Sequence, residues 1–368
     1  MTTAPAHLKR VRIKGFKSIK ELDLALHPVN ILIGANGSGK SNFISLFTFL
    51  RYLSEGKLQT YVEQNGFANT FFYFGAKNTP TMSIGLDVGE NGYHASFIHG
   101  EANDALVFEQ EYCTFTGSSK HFPIKGRLGE SGLLPSGEAT SSYVKRYTRE
   151  YLNRCHVYHF HDTSSSAAFK QAQKLTASHF LQNNAANLAP FLSFLREVWP
   201  ESYADILATI QTVAPFFHDF YLTPQGKPGD ESILLRWVHK EHDAPFSANQ
   251  LSDGTARFIC LATLFLQPEE LRPGTILLDE PELGLHPAAL EVLAEIIKST
   301  SRTTQVICTT QSATLANFFE PEDFIVVDQK DGASVFSRPS REGLQGWLDE
   351  YRMGEIWLKN LIGGRPAW

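Results

Sequence analysis

The sequence predicts an α/β fold, with a mixed, largely parallel core sheet, an antiparallel β subdomain beside it and an inserted helical lobe. Three observations predict it. The apolar run VNILIGA feeds a glycine-rich loop, and from Ser41 onward Phe43, Ile44, Phe47, Leu50 and Leu53 recur at helical spacing. Short β-branched and aromatic runs separated by turn signals occupy about 70–125, the pattern of an antiparallel meander. From about 258 strand and helix patterns alternate, which demands crossover connections and therefore parallel strands.

Composition bounds the possibilities. A length of 368 residues allows two packed units or one core with a large insertion. Hydrophobic residues at 42%, charged residues at 20% and 27 Phe supply a sizeable core and exclude a disordered chain. The net charge of −6 gives no global reason to expect nucleic acid, so any such partner needs a local patch. Cys113, Cys155, Cys260 and Cys308 stand far apart without a CxxC pair, as in a reduced cytosolic protein. The opening MTTAPAHLKRVRIKG has no apolar core of an export signal, and stretches such as FICLATLFL fall short of the roughly 20 residues that span a bilayer. The expectation is a cytoplasmic protein without membrane contact. Neither a 20–50-residue repeat nor a sustained heptad is present.

Taken in order, VRIKGFKSI and ELDLALHP alternate apolar and polar residues and predict edge strands leading into a buried one. FFYF, MSIGLDV, YHASFI and ALVFEQEYCTF supply the meander, and the Gly/Ser-rich stretch 126–142 a surface loop. VYHFHDTSSS (157–166) is strand-like. A mostly helical region follows from Ala167 to about Phe217, broken by Pro190, Pro200 and Pro215 and too short for a coiled-coil arm. FYLTP and SILLRWV return to strand, and the loop NQLSDGTAR leads into a helix over Phe258–Phe265. TILLDEPELGLHP predicts a buried strand with an acidic loop, AALEVLAEIIKS an amphipathic helix and TQVICTTQS another buried strand.

Gly34-Ala35-Asn36-Gly37-Ser38-Gly39-Lys40-Ser41 satisfies GxxxxGK[ST] between a buried strand and a helix. Such a loop turns backbone N–H groups around a polyphosphate at a helix N-terminus, with Lys40 reaching the β- and γ-phosphates and Ser41 offering a hydroxyl to Mg²⁺. Gly34, Asn36, Gly37, Ser38, Gly39, Lys40, Ser41 and Asn42 are the candidate ATP-binding residues. The strand Ile276–Leu278 then ends on Asp279 and Glu280. Asp279 is suited to hold Mg²⁺ with Ser41, and Glu280 to orient or deprotonate a water.

A further motif, Leu251-Ser252-Asp253-Gly254-Thr255, precedes a helix. It resembles the LSGGQ signature of ABC-type ATPases. Pro281–Pro287 resembles the D-loop that follows Walker B in those proteins, and RIKGFKSI resembles the opening strands of RecF, SMC and OLD-type ATPases. The chain is similar to small soluble bacterial ATPases of that branch, over about 8–75 and 245–315. The resemblance implies a P-loop NTPase with an ABC-type head, 1–165 and 219–335, interrupted by the lobe 166–218 and followed by a tail, 336–368. It also implies that Ser252 and Gly254 contact the γ-phosphate of ATP held by a second copy, so that ATP glues a homodimer. Work on DNA in repair or anti-phage defence, as sensor or motor for a separate nuclease or toxin effector, is the expected role. The competing reading is a nucleotide-controlled protein switch that regulates a toxin or enzyme without touching DNA, with 167–217 as partner surface. For LSDGT itself the plain alternative is a helix N-cap by Ser252 or Asp253.

Two departures stand out. Where the family often has a switch histidine, the chain reads Thr309-Thr310-Gln311-Ser312, and Gln311 can hydrogen-bond a γ-phosphate but cannot take a proton. No Q-loop glutamine is present; its position falls in Val157–Thr163, where His161 or Asp162 is the candidate sensor of Mg²⁺ and γ-phosphate. Alternatively this cluster is a strand end with a hydrogen-bonded histidine and a capping Asp162 or Ser164, or an HxHD metal site, which lacks further ligands. Lys9, Arg10, Arg12, Lys14, Lys17 and Lys20 suit either a nucleic acid backbone or a charge-protected edge strand, and Lys145, Arg146, Arg149 and Arg154 form a second basic cluster. The acids Glu320, Glu322, Asp323, Asp328 and Asp331 read as loop and strand-edge residues rather than a nuclease site.

Overall fold

Alternation in the N-terminal stretch builds two antiparallel strands, β1 (Leu8–Phe16) and β2 (Ile19–Ala25), followed by the fully buried β3 (Val29–Ile33). The computed structural model describes residues 7–126, 128–133, 143–176 and 179–365. After β3 come α1 (Lys40–Ser54), α2 (Leu58–Gln64) and the meander β4 (Thr81–Val88), β5 (Asn91–Gly100), β6 (Ala105–Phe115) and β7 (Ser118–Pro123). Next are α3 (Tyr143–Asn153), β8 (Cys155–Tyr158), the short β9 (Gln173–Lys174), α4 (Leu188–Val198) and α5 (Pro200–Val213). The small strands β10 (Phe217–Phe220), β11 (Ser232–Ile233), β12 (Arg236–His239) and β13 (Phe246–Ser247) lead to α6 (Asp253–Leu266), β14 (Thr275–Asp279), α7 (Pro287–Thr300) and β15 (Gln305–Thr310). The chain ends with α8 (Ala313–Ala316), β16 (Phe324–Lys330), β17 (Ala333–Ser337) and α9 (Met353–Leu358).

Two six-stranded sheets result. The core sheet runs β17-β16-β3-β15-β14-β8, parallel throughout except for β17. Its central strands β3, β14 and β15 are buried on both faces, as near-continuous apolar runs require. Ile31, Ile33, Ile276, Leu278, Val306 and Cys308 face a core shared with α4 to α7. Leu32, Leu277, Ile307, Ile325 and Val327 face the core shared with α1 and the second sheet. Full burial of side chains such as Phe43 and Phe49 stabilises by about 2–3 kcal/mol each. Because β3, β15, β14 and β8 are parallel neighbours, the loops after Ile33, Thr310, Asp279 and Tyr158 emerge at one sheet edge.

The second sheet, β2-β1-β4-β5-β6-β7, is antiparallel. Here β1 is an inner strand, paired with β2 on one side and β4 on the other, so the expectation of an edge strand fails for β1 and holds for β2. Its cations lie on the outer face, where Arg10 pairs with Asp23, Arg12 with Asp87 and Lys14 with Glu21. Three of the six cations of the basic run are therefore ion-paired with acids on β2 and β4, Lys14 directly across from Glu21 and the two arginines on the diagonal.

Four local expectations are corrected. FFYF (71–74) is not a strand: Phe71 closes a 3-10 turn over Ala68–Phe71, Phe72 makes a single bridge to Phe16, and Tyr73 and Phe74 lie in a turn, with Phe71 drawn into the core beside Phe16 and Phe49. The strand expected over 157–166 ends at Tyr158. Among the described residues of 167–217, α-helix occupies α4 and α5, with a single 3-10 turn at Ala168–Lys170. The described residues before α4 form turns and β9, held by polar bonds such as Lys170 Nζ to Thr163 O at 2.6 Å. Finally, α6 begins at Asp253, five residues before the expected start, since Ser252 caps it. Within the predicted loop 126–142, residues 127 and 134–142 lie outside the described residues. The described part includes Glu130, whose carboxylate accepts the Leu58 and Gln59 N–H groups at the start of α2, both at 3.0 Å. All four cysteines are buried and free. Among the described residues no helix is long and apolar enough to cross a membrane.

Candidate active site

The glycine loop leaves β3 and wraps closely against β16 and β17. A Cβ on Gly34 would lie 2.2 Å from Val327 O, so no other residue fits there. Gly39 has φ 111°, and a Cβ on it would meet Ser334 Oγ at 2.0 Å. Lys40, in the first turn of α1, is 5% exposed, and its ammonium donates to Gly34 O at 2.7 Å and Ala35 O at 3.0 Å. Burial is the main cause that lowers its pKa, while Glu280, Asp279 and Glu282 pull the other way. Ser38 Oγ is buried without a hydrogen-bond partner among the described residues, a polar atom in want of a ligand. Asn36 and Gly37 are exposed in the loop. Asn42 turns away from it and donates to Ser18 Oγ at 2.7 Å.

The acids of β14 arrive beside this loop. Asp279 accepts a hydrogen bond from Thr309 Oγ1, and its other oxygen lies 3.5 Å from Ser41 Oγ. That hydroxyl and carboxylate are hard oxygen donors at one edge of the loop, and they fit a Mg²⁺ that draws its remaining ligands from phosphate and water. Among the described residues no group of three His, Cys, Asp or Glu is arranged to hold a metal, so the HxHD alternative is not assembled. Glu280 has φ 45°, a left-handed conformation that costs on the order of 1 kcal/mol or more. It is held there by its N–H, which donates to Thr309 O and Thr309 Oγ1, both at 3.1 Å. Its carboxylate accepts from Gln311 Nε2. Ser41, Asp279, Glu280 and Gln311 thus converge from α1, β14 and the end of β15.

The signature loop takes the N-cap geometry. Ser252 Oγ accepts from Thr255 N at 3.1 Å and shares a 2.8 Å bond with Thr255 Oγ1, while Ser252 itself remains exposed. Gly254 packs on the acidic loop so tightly that a Cβ would lie 2.3 Å from Gly284 O. Among the described residues no hydrogen bond joins Ser252 or Gly254 to residues 34–41 of the same chain. His161 lines a small cleft with Asp279 and Glu280, whereas Asp162 is committed to its own turn through Ser164 N (3.0 Å) and Ser164 Oγ (2.6 Å). The Ser164 hydroxyl is the first cause that lowers the Asp162 pKa.

Several participants escaped the motif reading. Arg257 is 7% exposed in α6 and donates to Phe160 O at 2.9 Å and His161 O at 3.0 Å, tying the signature helix to the end of β8. The available signal was a lone cation in an apolar helix. Thr309 and Thr310 read only as strand residues. The chain after α9 also returns to the glycine loop: Gly364 N donates to Asp328 Oδ1 at 2.8 Å, and a Cβ on Gly364 would lie 3.4 Å from Gly34 Cα. A cavity of about 710 Å³ opens there, bounded by Asn36, Ser38, Gln311, Asp328, Trp357 and Arg365.

The chain matches, over residues 29–97 and 137–317, the family described as "AAA domain, putative AbiEii toxin, Type IV TA system". It belongs to that AAA-domain family. Curated proteins compared by sequence give no match. Among solved structures, an SMC head bound to the C-terminal winged-helix domain of ScpA has TM-score 0.56 and 16% identity, covering 91% of this chain and 99% of that one. An SMC head with an extended coiled coil, bound to the C-terminal domain of ScpA and derived from Pyrococcus furiosus, has TM-score 0.56 and 14% identity over 94% and 99%. The SMC head domain from Thermotoga maritima has TM-score 0.50 and 14% identity over 91% and 99%. The AAA-domain protein therefore has an SMC-head fold, and the expected RecF/SMC-like P-loop ATPase class is borne out in family and fold.

Proposed function

We propose that the chain binds and hydrolyses ATP between two head-to-head copies in the cytoplasm. One observation carries this reading: Lys40, Ser41, Asp279, Glu280 and Gln311 meet at one sheet edge, while Ser252 and Gly254 stand exposed or half-buried and unbonded to that loop. The site has a phosphate cradle, an ion pocket and a candidate base, but among the described residues no second anion loop. Residues 1–165 and 219–335 form the head in this reading, with 166–218 as lobe and 336–368 as tail.

Lys40 leaves the Gly34 and Ala35 carbonyls for the β- and γ-phosphates, exchanging two neutral acceptors for charged ones. Ser41 and Asp279 hold Mg²⁺, which when bound neutralises phosphate charge. Glu280 takes the proton of a water whose oxygen bonds to the γ-phosphorus as the bridging bond to ADP breaks. Gln311 holds the Glu280 carboxylate in place before reaction and has an amide able to hydrogen-bond a γ-phosphate oxygen. Ser252 and Gly254 of the second copy offer a hydroxyl and N–H groups at the start of α6. Glu280→Gln should keep ATP binding, slow hydrolysis about a hundredfold and trap an ATP-dependent dimer on gel filtration. Adding Ser252→Arg should abolish that dimer without weakening nucleotide binding by the monomer. A trapped dimer that tolerates this change would defeat the head-to-head arrangement.

Two readings of the biological target remain separable. DNA, in repair or phage defence, is served by the α3 cations Lys145 and Arg149. A protein partner, whether a toxin, an enzyme or a nuclease effector, is favoured by the ion-paired outer face of β1, which leaves few free cations for a phosphate backbone. The SMC heads of the same fold are seen with a protein domain bound. DNA binding measured with ATP against salt decides: a steep salt slope supports DNA, and absence of binding at low salt supports the protein switch.

A further inference from the structure

One buried carboxylate at the sheet edge is unused by the roles above. Glu282 is 8% exposed, and its Oε1 accepts from Thr310 Oγ1 at 2.6 Å and from Gln311 N at 2.8 Å. The Thr310 hydroxyl in turn accepts from Ser312 N at 3.0 Å, so one short chain of bonds holds the whole β15 exit. Among the described residues Glu282 Oε2 has no hydrogen-bond partner. Burial is the largest cause of the raised pKa of this carboxyl, opposed by its two donors.

Packing alone does not account for an acid here, since an apolar side chain of similar size fills the same space without the cost of burying a carboxyl. The bonds explain it. Glu282 grips the backbone of Gln311, and the side chain of Gln311 grips Glu280, whose own backbone is left-handed.

We infer that Glu282 is a positioning residue for hydrolysis, fixing the exit of β15 so that the Gln311 amide holds the Glu280 carboxylate toward the attacking water. The inference rests on the proposed roles of Glu280 and Gln311. Glu282 touches no reacting atom, so its loss lowers turnover and leaves nucleotide affinity alone.

The test compares the full-length protein with Glu282→Ala, Glu282→Gln, Gln311→Ala, the Glu282→Ala/Gln311→Ala pair and Glu280→Gln. Turnover at saturating ATP, binding of a fluorescent ATP analogue and thermal melting are measured for each. Glu282→Ala should lower kcat roughly tenfold to a hundredfold, the range for residues that orient a reacting group, with analogue affinity within about twofold of the parent. Glu282→Gln, whose carbonyl still accepts both bonds, should restore most of kcat. The double variant should be little slower than Gln311→Ala, because both changes cut one connection. Should Glu282→Ala fail to fold, Thr310→Val and Thr310→Ser decide: the first should slow turnover several-fold and the second should not. Unchanged kcat in both Glu282→Ala and Thr310→Val, or fully additive losses with Gln311→Ala, overturns the inference while a slow Glu280→Gln keeps the hydrolytic reading. A fast Glu280→Gln overturns both.

Discussion

The outer face of the antiparallel sheet and the C-terminal edge of the core sheet treat charge in opposite ways. On β1 each of Arg10, Arg12 and Lys14 faces an acid on a neighbouring strand. At the core edge Asp279, Glu280 and Glu282 are held by threonine hydroxyls and amides, and the nearby Lys40 donates to backbone carbonyls instead. Among the described residues no ion pair joins Lys40 to those acids. The first face is complete as it stands. The second leaves Lys40, Asp279 and Glu280 without an ion pair among the described residues, as the proposed site for a metal-bound polyphosphate requires.

The largest change should come from removing the reserved cation. Lys40→Ala should lower ATP turnover by about two orders of magnitude or more in a steady-state assay and weaken nucleotide binding at equilibrium, with little loss of melting temperature. Wild-type turnover would show that the core edge is no more functional than β1. A middle-sized effect is expected where the tail meets the glycine loop. Gly364 has φ 77°, and a Cβ there would lie 2.9 Å from Val326 Cγ1, so Gly364→Val should cost about 2 kcal/mol in denaturant unfolding. Because this residue abuts Gly34, ATP affinity should fall several-fold as well; destabilisation without that loss would separate the tail from the site. The smallest effect belongs to β1. Arg12→Ala removes a partly exposed pair with Asp87 and should cost about 1 kcal/mol or less, leaving ATP turnover unchanged. A loss of turnover there would erase the contrast between the two faces.

Much of the site was legible because its chemistry demands particular residues at short range. The glycine loop from Gly34 to Ser41 and the acids 279–280 are local patterns at the ends of apolar strands, and parallel pairing brings them together. Partners from elsewhere were hidden. Thr309 and Thr310 look like any strand residues until the register sets Asp279 opposite Thr309. Ser252 shows why a motif has two meanings: its hydroxyl caps α6 in the single chain and is free to meet a ligand only from outside. The basic run on β1 left two meanings open, since Asp23 and Asp87, the acids that pair with Arg10 and Arg12, come from separate strands.

By itself the amino-acid order determined the class of fold, the glycine loop and the acids beside it, because apolar periodicity and backbone freedom are properties of neighbouring residues. Tertiary structure alone decided that β1 is an inner strand with paired charges, that Gly364 rests against Gly34, and that Glu282 holds the residue that holds Glu280. Those are contacts between groups far apart in the chain or turned by a particular register, and their energies exist only once the strands have been laid side by side.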